Sequence, residues 1–407
     1  MKRFLLILMN FGILAFSTYG VDSGSSESVV RDLSGEAAFP LLFFPDGVDS
    51  DRWKIPSDGI FVMRKGSQLE RNISLQDSCD IVAKRLAGLY FDSEDPSQVE
   101  YAESISKSWE KLNDSLLKIL TWSAKYIAPL LLQSEATTLF YPFGGPDIAY
   151  TLALFPQMNN YILVGLEPIG TFDNIKKTIK NSATLAALRR SLSSYFKKGY
   201  FITSEMMTQL SNKNIRGALY IILVGLARNN CTVTQVTDIS IDPDGNEVPR
   251  QKGMPDGVKI TFNPPGSMAQ KSVYYIRANL IDSNKKLFYL MNFVKHTRFV
   301  TLIKSASYVL HDVSASQIRN FLLGFSAAVL QDDTGIPFSY FSTGWEVYPY
   351  GSYKNPALRI FMGYLQRDLR NFFATRNPLE LPFMIGYGFN QDHSCLILAV
   401  SLKKSKN

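Results

Sequence analysis

Apolar and polar positions change their period several times along this chain. In residues 97–128 the apolar side chains Ile105, Trp109, Leu112, Leu116 and Ile119 recur at steps of three and four, the period of a helix with one buried face. Ser97 stands where its hydroxyl would satisfy an orphan first-turn amide, and Pro129 ends or kinks that helix. A shorter helix is expected before it, at about 77–89. Residues 137–143 then read as a strand running into Gly144-Gly145-Pro146-Asp147. A short helix over 147–155 is stopped by Pro156, and the continuous apolar run 160–166 suits a strand buried on both faces. Strand, glycine turn, helix and strand in this order predict a βαβ unit with two adjacent parallel strands.

From Asp173 to about Arg228 the pattern is helical, three helices with breaks near Gly199 and at 212–214. At Cys231 the period drops to two. Residues 232–241 alternate and turn at 242–246, and strands over 258–262, 272–281 and 286–294 continue an antiparallel meander, to which 299–303 adds one more. Residues 314–330 have the spacing of an amphipathic helix, and beyond Pro337 the chain is aromatic-rich and mostly extended, with one helix near 360–373. The fold class expected is mixed α/β: a βαβ-containing sheet core with N-terminal helices and an antiparallel β extension. A length of 407 residues suits two or three domains or one large one. Composition divides the chain into an irregular and helical region at 21–134 and a mixed α/β core at 135–407. Whether the two form one domain stays open.

The first twenty residues form a segment of their own. Met1-Lys2-Arg3 is basic, an apolar stretch begins at Phe4, and small and polar residues surround Ser17–Gly20. This order predicts a cleaved signal peptide over 1–20 and an exported protein, periplasmic or extracellular. The apolar stretch falls short of the ~20 residues that span a bilayer, and so does 217–227, so no transmembrane anchor is expected after cleavage.

Composition narrows the function classes. With 46% hydrophobic and 19% charged residues, global disorder is excluded, and three cysteines cannot staple a mini-protein. A formal charge of +7 without a dense Arg/Lys stripe gives no reason to expect nucleic acid. Three scattered cysteines and three histidines, with no HExxH, predict no metal site, and no cofactor is expected.

Four places carry candidate chemistry. Gly144, Gly145 and Asp147 sit where α/β sheets place ligands, and Glu167 ends the next strand where nucleotide-binding folds keep a ribose-binding carboxylate. The run lacks GxGxxG and Pro146 removes an amide, so Asp147 reads first as a favourable charge at a helix start. Asp332, Asp333 and Gly335 are expected to close the 314–330 helix. Carboxylates there cost about 0.3–1 kcal/mol each, which an Asx-turn, a metal ion or a catalytic role would explain. His311, with Ser305, Ser307 and Asp312 close by, offers a base and a nucleophile without the GxSxG turn that exposes a catalytic serine. Phe338, Tyr340, Phe341, Trp345, Tyr348, Tyr350 and Tyr353 would give a stacking face for a glycan or peptide, or fill a half-buried sheet.

Five segments in order, Phe140-Tyr-Pro-Phe-Gly-Gly-Pro-Asp147, Gly165-Leu-Glu-Pro168, Leu330-Gln-Asp-Asp-Thr-Gly-Ile-Pro337, Tyr350-Gly-Ser-Tyr353 and Leu381-Pro-Phe-Met-Ile-Gly-Tyr387, resemble a family of uncharacterised exported bacterial proteins. The resemblance covers roughly 135–390. It implies a bacterial origin and an envelope location and carries over no catalytic residue.

Three functions stay in view. The first is binding of an envelope glycan, peptide or small molecule in a cleft between the Gly144–Asp147 and Asp332–Gly335 turns. The second is a hydrolase using Asp332 or Asp333 as base or metal ligand. The third is a structural or partner-binding role for the aromatic region. The two turns should meet if strand 299–303 runs antiparallel to strand 137–143, and should part if it runs parallel.

Overall fold

The computed structural model describes residues 78–201, 203–210, 215–388 and 393–403, all within the compact unit Met63–Asn407, and before them only the backbone of the strands Arg3–Met9, Ile13–Tyr19, Val29–Asp32 and Phe61–Met63. The side chains of the signal segment and the rest of the chain before residue 78 lie outside them. Ten strands form one sheet: β1 (Thr138–Tyr141), β2 (Asn160–Gly165), β3 (Thr232–Ile241), β4 (Glu247–Pro249), β5 (Asp256–Asn263), β6 (Lys271–Arg277), β7 (Phe299–Ile303), β8 (Ala328–Gln331), β9 (Trp345–Gly351) and β10 (Cys395–Ser401). Their spatial order is β9-β10-β8-β7-β1-β2-β6-β5-β3-β4.

The five central strands, β8-β7-β1-β2-β6, are parallel throughout. All residues of β1, β7 and β8 are buried, which is what their continuous apolar runs require of strands covered on both faces. Antiparallel wings flank this core: β10 and β9 on one side, β5, β3 and β4 on the other. The expected βαβ unit is present. Strands β1 and β2 pair in parallel with Thr138 opposite Asn160, and the helix α3 (Ile148–Leu154) lies between them in sequence.

Helices cover both faces. On one side are α8 (Leu287–Lys295), α9 (Ser316–Phe325) and α10 (Arg367–Thr375), whose Leu290, Leu322 and Phe373 join Phe140, Ile162, Val329 and Ile397 in one core. On the other side α2 (Pro96–Tyr126) packs against α3 and α5 (Ser182–Lys198), while α7 (Leu219–Arg228) is buried all round. Arg228 ties α7 to α1 (Cys79–Leu86) and α2 by donating to the Ala87 carbonyl (2.7 Å) and the Ser106 hydroxyl (2.9 Å).

Several elements differ from the sequence reading, each for a local reason. The cap of α2 is Asp95, whose carboxylate accepts the Ser97 amide at 2.9 Å, with Pro96 in the first helical turn. The helical stretch after Asp173 has four helices: α4 (Phe172–Thr178) is separated from α5 by a break where Asn181 caps α5, and α6 (Thr203–Gln209) follows Gly199. Residues 286–294 are the helix α8 rather than a strand. Its buried positions Leu287, Leu290 and Val294 are three and four apart, and interspersed aromatics hide that period. The 314–330 helix stops at Phe325, and Ala328–Gln331 is the strand β8. Near 360–373, a 3₁₀ turn over Arg359–Tyr364 precedes α10. Finally, β7 is not part of the meander; it runs parallel to β1, with Phe299 opposite Thr138.

Taken along the chain, the parallel core runs β1, β2, β6 in one direction, then crosses back to β7 and β8 on the far side of β1. The strand order therefore reverses between β1 and β7. In open α/β sheets ligand crevices lie at such a reversal, outside the carboxyl ends of the strands.

Candidate functional site

All the sequence-selected turns sit at that carboxyl edge. Strand β1 ends at Tyr141 and β2 at Gly165, so Gly144–Asp147 and Glu167 emerge side by side. Strand β7 ends at Ile303 and delivers Lys304, and β8 ends at Gln331 and delivers Asp332 and Asp333. The parallel course of β7 does not part the turns. Helix α9 returns the chain to the amino edge, and β8 brings it back again, so the condition placed on β7 fails while the two turns still share an edge. The carboxylates follow a strand, and the helix-dipole penalty does not apply to them.

At the reversal itself, Lys304 Nζ lies 2.9 Å from Asp147 Oδ2, with the two side chains 1% and 2% exposed. Lys304 also donates to the Gly199 carbonyl (2.5 Å) and lies 3.9 Å from the centre of the Tyr150 ring. Asp147 accepts from the Tyr195 hydroxyl (2.6 Å) and, as the cap of α3, from the Tyr150 amide (3.4 Å). Every charge here has a partner, as burial demands. The crevice is filled by the protein's own side chains.

Glu167 packs beside the glycine turn. It accepts from the Tyr275 hydroxyl at 2.9 Å, and a β-carbon on Gly145 would lie 3.7 Å from its carboxylate. Gly145 itself has φ +55°, the left-handed conformation that glycine adopts without penalty. Burial and the Glu167 charge push the Tyr275 phenol well above its ordinary range.

Asp332 forms an Asx-turn with the Thr334 amide (2.9 Å), also accepts the Thr334 hydroxyl (2.5 Å), and accepts the Ser305 amide at 2.8 Å. Of the explanations offered for this motif, the Asx-turn is the arrangement present, with Asp332 as the turn residue. Gly335 leaves room for the Gln331 side chain: a β-carbon would come 2.5 Å from its Oε1, which accepts the Ile336 amide. Asp333 accepts a hydrogen bond from the Tyr308 hydroxyl and a weak one from the Cys395 thiol. Burial and the neighbouring Asp332 charge raise the Asp333 carboxyl to about 7. His311 bonds the Gly335 backbone, and burial, with the Arg319 charge, lowers its imidazole to about 4; its Nε2 has no partner.

No Ser-His-Asp arrangement results. Asp312 accepts the Ser314 amide (2.7 Å), and Ser307 Oγ lies 2.7 Å from the Tyr387 hydroxyl. Among the described residues no three His, Cys, Asp or Glu side chains are grouped to hold a metal ion. The sequence reading missed Lys304 as a partner of Asp147, and Tyr308, Thr334 and Tyr387 as clamps on the 304–308 loop. Three residues of that loop, Ser305, Ser307 and Tyr308, have φ between 52° and 58°. Such strain gives no sequence signal, because none of the three is glycine.

The aromatic segment divides. Phe338, Phe341, Trp345, Tyr348 and Tyr350 line one groove of about 640 Å³ along the outer edge of β9, closed on the far side by Phe372 and Arg376–Leu379. Tyr340 instead lies under the Arg319 guanidinium, and Tyr353 is buried, accepting the Gln366 amide at 3.1 Å. The chain matches no protein-family model, and it matches no curated protein.

Proposed function

We propose that this chain is a binding protein whose ligand lies in the groove beside β9. One observation carries the reading: five aromatic residues from a 13-residue stretch, 338–350, line a single cavity large enough for a small ligand or a short chain segment, with Phe338, Trp345 and Tyr348 the less buried of them. Aromatic faces there offer apolar contact area at little entropic cost, and Arg376, Asn377 and Glu346 add polar contacts at the rim. The carboxyl-edge cluster, by contrast, is engaged in its own ion pair and turn hydrogen bonds, which supports a scaffolding role for it. The pattern of residues 1–20 supports an encounter with the ligand outside the cytoplasm. Among the described residues no helix is long and apolar enough to cross a membrane.

Titrating oligosaccharides and end-capped decapeptides against the protein by calorimetry, with Trp345 fluorescence (identified by Trp345→Phe) as a second readout in the wild type, tests this. The expected result is a saturable change with one probe class that Trp345→Ala weakens tenfold or more. Saturable binding that Trp345→Ala leaves intact, or none with either class, overturns it. A hydrolytic reading has one observation in its favour, the Asp333 carboxyl that titrates near neutrality beside Tyr308. It requires that Asp333→Asn abolish turnover of a cell-wall glycan or peptide.

A further inference from the structure

We infer that the groove takes an extended peptide, which adds as a further strand to the outer edge of β9. The inference rests on the groove being the binding site and names what fills it. Strand β9 is the last of its sheet, with β10 on its inner side only. Its outer side already accepts a strand at one point. Leu379 makes a parallel bridge to Tyr350, and the Gly351 amide donates to the Leu379 carbonyl at 2.7 Å. Upstream of Leu379 no further bridge follows, Pro378 has no amide to give, and Arg376–Pro378 line the far wall of the cavity. The groove is the wedge left where two backbones meet at Tyr350 and Leu379 and then diverge.

The parity of β9 fixes what the wedge offers. The Gly351 amide points outward to Leu379, and the Trp345 amide turns to the Ser342 carbonyl (3.3 Å) instead of to β10. In an antiparallel strand alternate residues direct both backbone groups to the same side, so Val347, between these two, presents its amide and carbonyl to the groove. Pro349 presents a carbonyl alone. An extended peptide would pair with these groups and place alternate side chains against Phe338 and Phe372 on one face and Tyr348 on the other. Arg376, held 5.5 Å over the Phe372 ring, has no carboxylate partner among the described residues, so an acidic side chain next to an apolar one fits the site. A glycan would use the rings and meet the edge through separate hydroxyls, without the alternating donors and acceptors of a paired strand.

The test uses the full chain and a panel of end-capped 12-residue peptides, each alternating Val, Ile or Tyr with polar residues and carrying one Asp or Glu. The best binder is then remade with N-methyl groups at alternate residues, which removes strand hydrogen bonds and keeps the side chains. The expected results are at least tenfold weaker binding of the N-methylated peptide in one of its two registers, and at least tenfold slower exchange of the Val347 amide with the parent peptide. Val347→Pro should also lose tenfold or more in a protein that still melts cooperatively, because proline is tolerated on an edge strand whose amide faces outward, although some core packing of Val347 is lost. If N-methylation in either register costs nothing, or if oligosaccharides bind at Trp345 and peptides do not, the strand addition is overturned while the groove stands. If Val347 is protected without peptide in a protein that sediments as a dimer, two β9 edges pair with each other and the inference falls. If neither probe class perturbs Trp345, the groove reading itself has failed.

Discussion

Lys304 and Asp147 form an ion pair 2.9 Å long at the point where the strand order of the sheet reverses, both side chains shut off from water. In doubly wound sheets this is where a ligand usually sits. Here β7 contributes the cation and the β1–α3 turn the anion, so the crevice is closed from within.

Breaking the pair should therefore cost much more than replacing it. Lys304→Met leaves the Asp147 carboxylate buried with only the Tyr141 and Tyr195 hydroxyls and the Tyr150 amide, and should lower stability by about 3–5 kcal/mol. Asp147→Asn keeps an oxygen for Tyr195 and the cap, so the double variant should recover more than half of that loss. Urea unfolding of the four proteins measures it; equal losses in the single and double variants would show that the charge pair is not the cause.

Two other buried groups should make stability respond to pH in opposite senses. Asp333 titrates at about 7 in the folded chain and near 3.9 when unfolded, so between these values the native state holds the extra proton and stability falls as pH rises. Asp332, raised in the same direction by burial, adds to that slope. His311 titrates at about 4 when folded and near 6.5 when unfolded, so over that window the unfolded chain holds the extra proton and stability rises with pH. Between about pH 4 and 6.5 the slope from His311 opposes that from the two carboxyls. Asp333→Asn should shift the slope of melting temperature against pH over that window toward a rise, and His311→Gln should shift it toward a fall. Parallel pH profiles for wild type and both variants would show that neither group is buried as described.

How far the sequence announced this fold depends on which forces are local. The βαβ unit was legible because 160–166 is apolar without a break and Pro146 and Pro156 punctuate the helix between. Helix α8 was misread because Phe288, Tyr289 and Phe293 favour strands locally, whereas the burial of Leu287, Leu290 and Val294 against the sheet decides the outcome. Strand β8 was hidden because Ala328–Gln331 continues the apolar rhythm of α9, and only pairing with β7 on one side and β10 on the other makes it extended. The site was legible in its glycines and carboxylates and illegible in its partners. Asp147 meets Lys304 and Asp333 meets Tyr308 through tertiary contacts for which no spacing rule exists. The groove aromatics were visible as a cluster, but five of seven could be assigned to one groove only once β9 proved to be an edge.

The two glycines beside Glu167, Gly145 in the turn and Gly165 at the end of β2, should differ in tolerance. A β-carbon at Gly165 would overlap the Glu167 carboxylate and the Tyr275 hydroxyl, which bond each other at 2.9 Å. At Gly145 the nearest atom would be 3.7 Å away, leaving the positive φ as the main cost, about 1–2 kcal/mol. Gly165→Ala should thus be the more destabilising by roughly 1–3 kcal/mol, the cost of overpacking or of stranding a buried carboxylate. Chemical denaturation decides it, and Gly145→Ala proving the worse would mean that the turn is strained by something other than Glu167.

The last prediction concerns the 304–308 loop. Ser307 has φ 52°, is exposed, and touches the Tyr387 hydroxyl at 2.7 Å; that hydroxyl also donates to the Ser305 carbonyl at 2.8 Å. A left-handed residue with a β-carbon costs about 1–2 kcal/mol, and glycine returns part of that as lost chain entropy. Ser307→Gly alone mixes relief of strain with loss of the contact to Tyr387. In a Tyr387→Phe background the contact is already gone, so Ser307→Gly should there raise stability by about 0.5–1 kcal/mol. Tyr387→Phe itself should destabilise, because it releases a clamp on a loop that Asp332 holds at the Ser305 amide and Thr334 at the Ala306 amide (2.7 Å). If Ser307→Gly destabilises in that background, the loop is not under backbone strain, and the three positive φ angles are held by their side chains rather than imposed by the clamps around them.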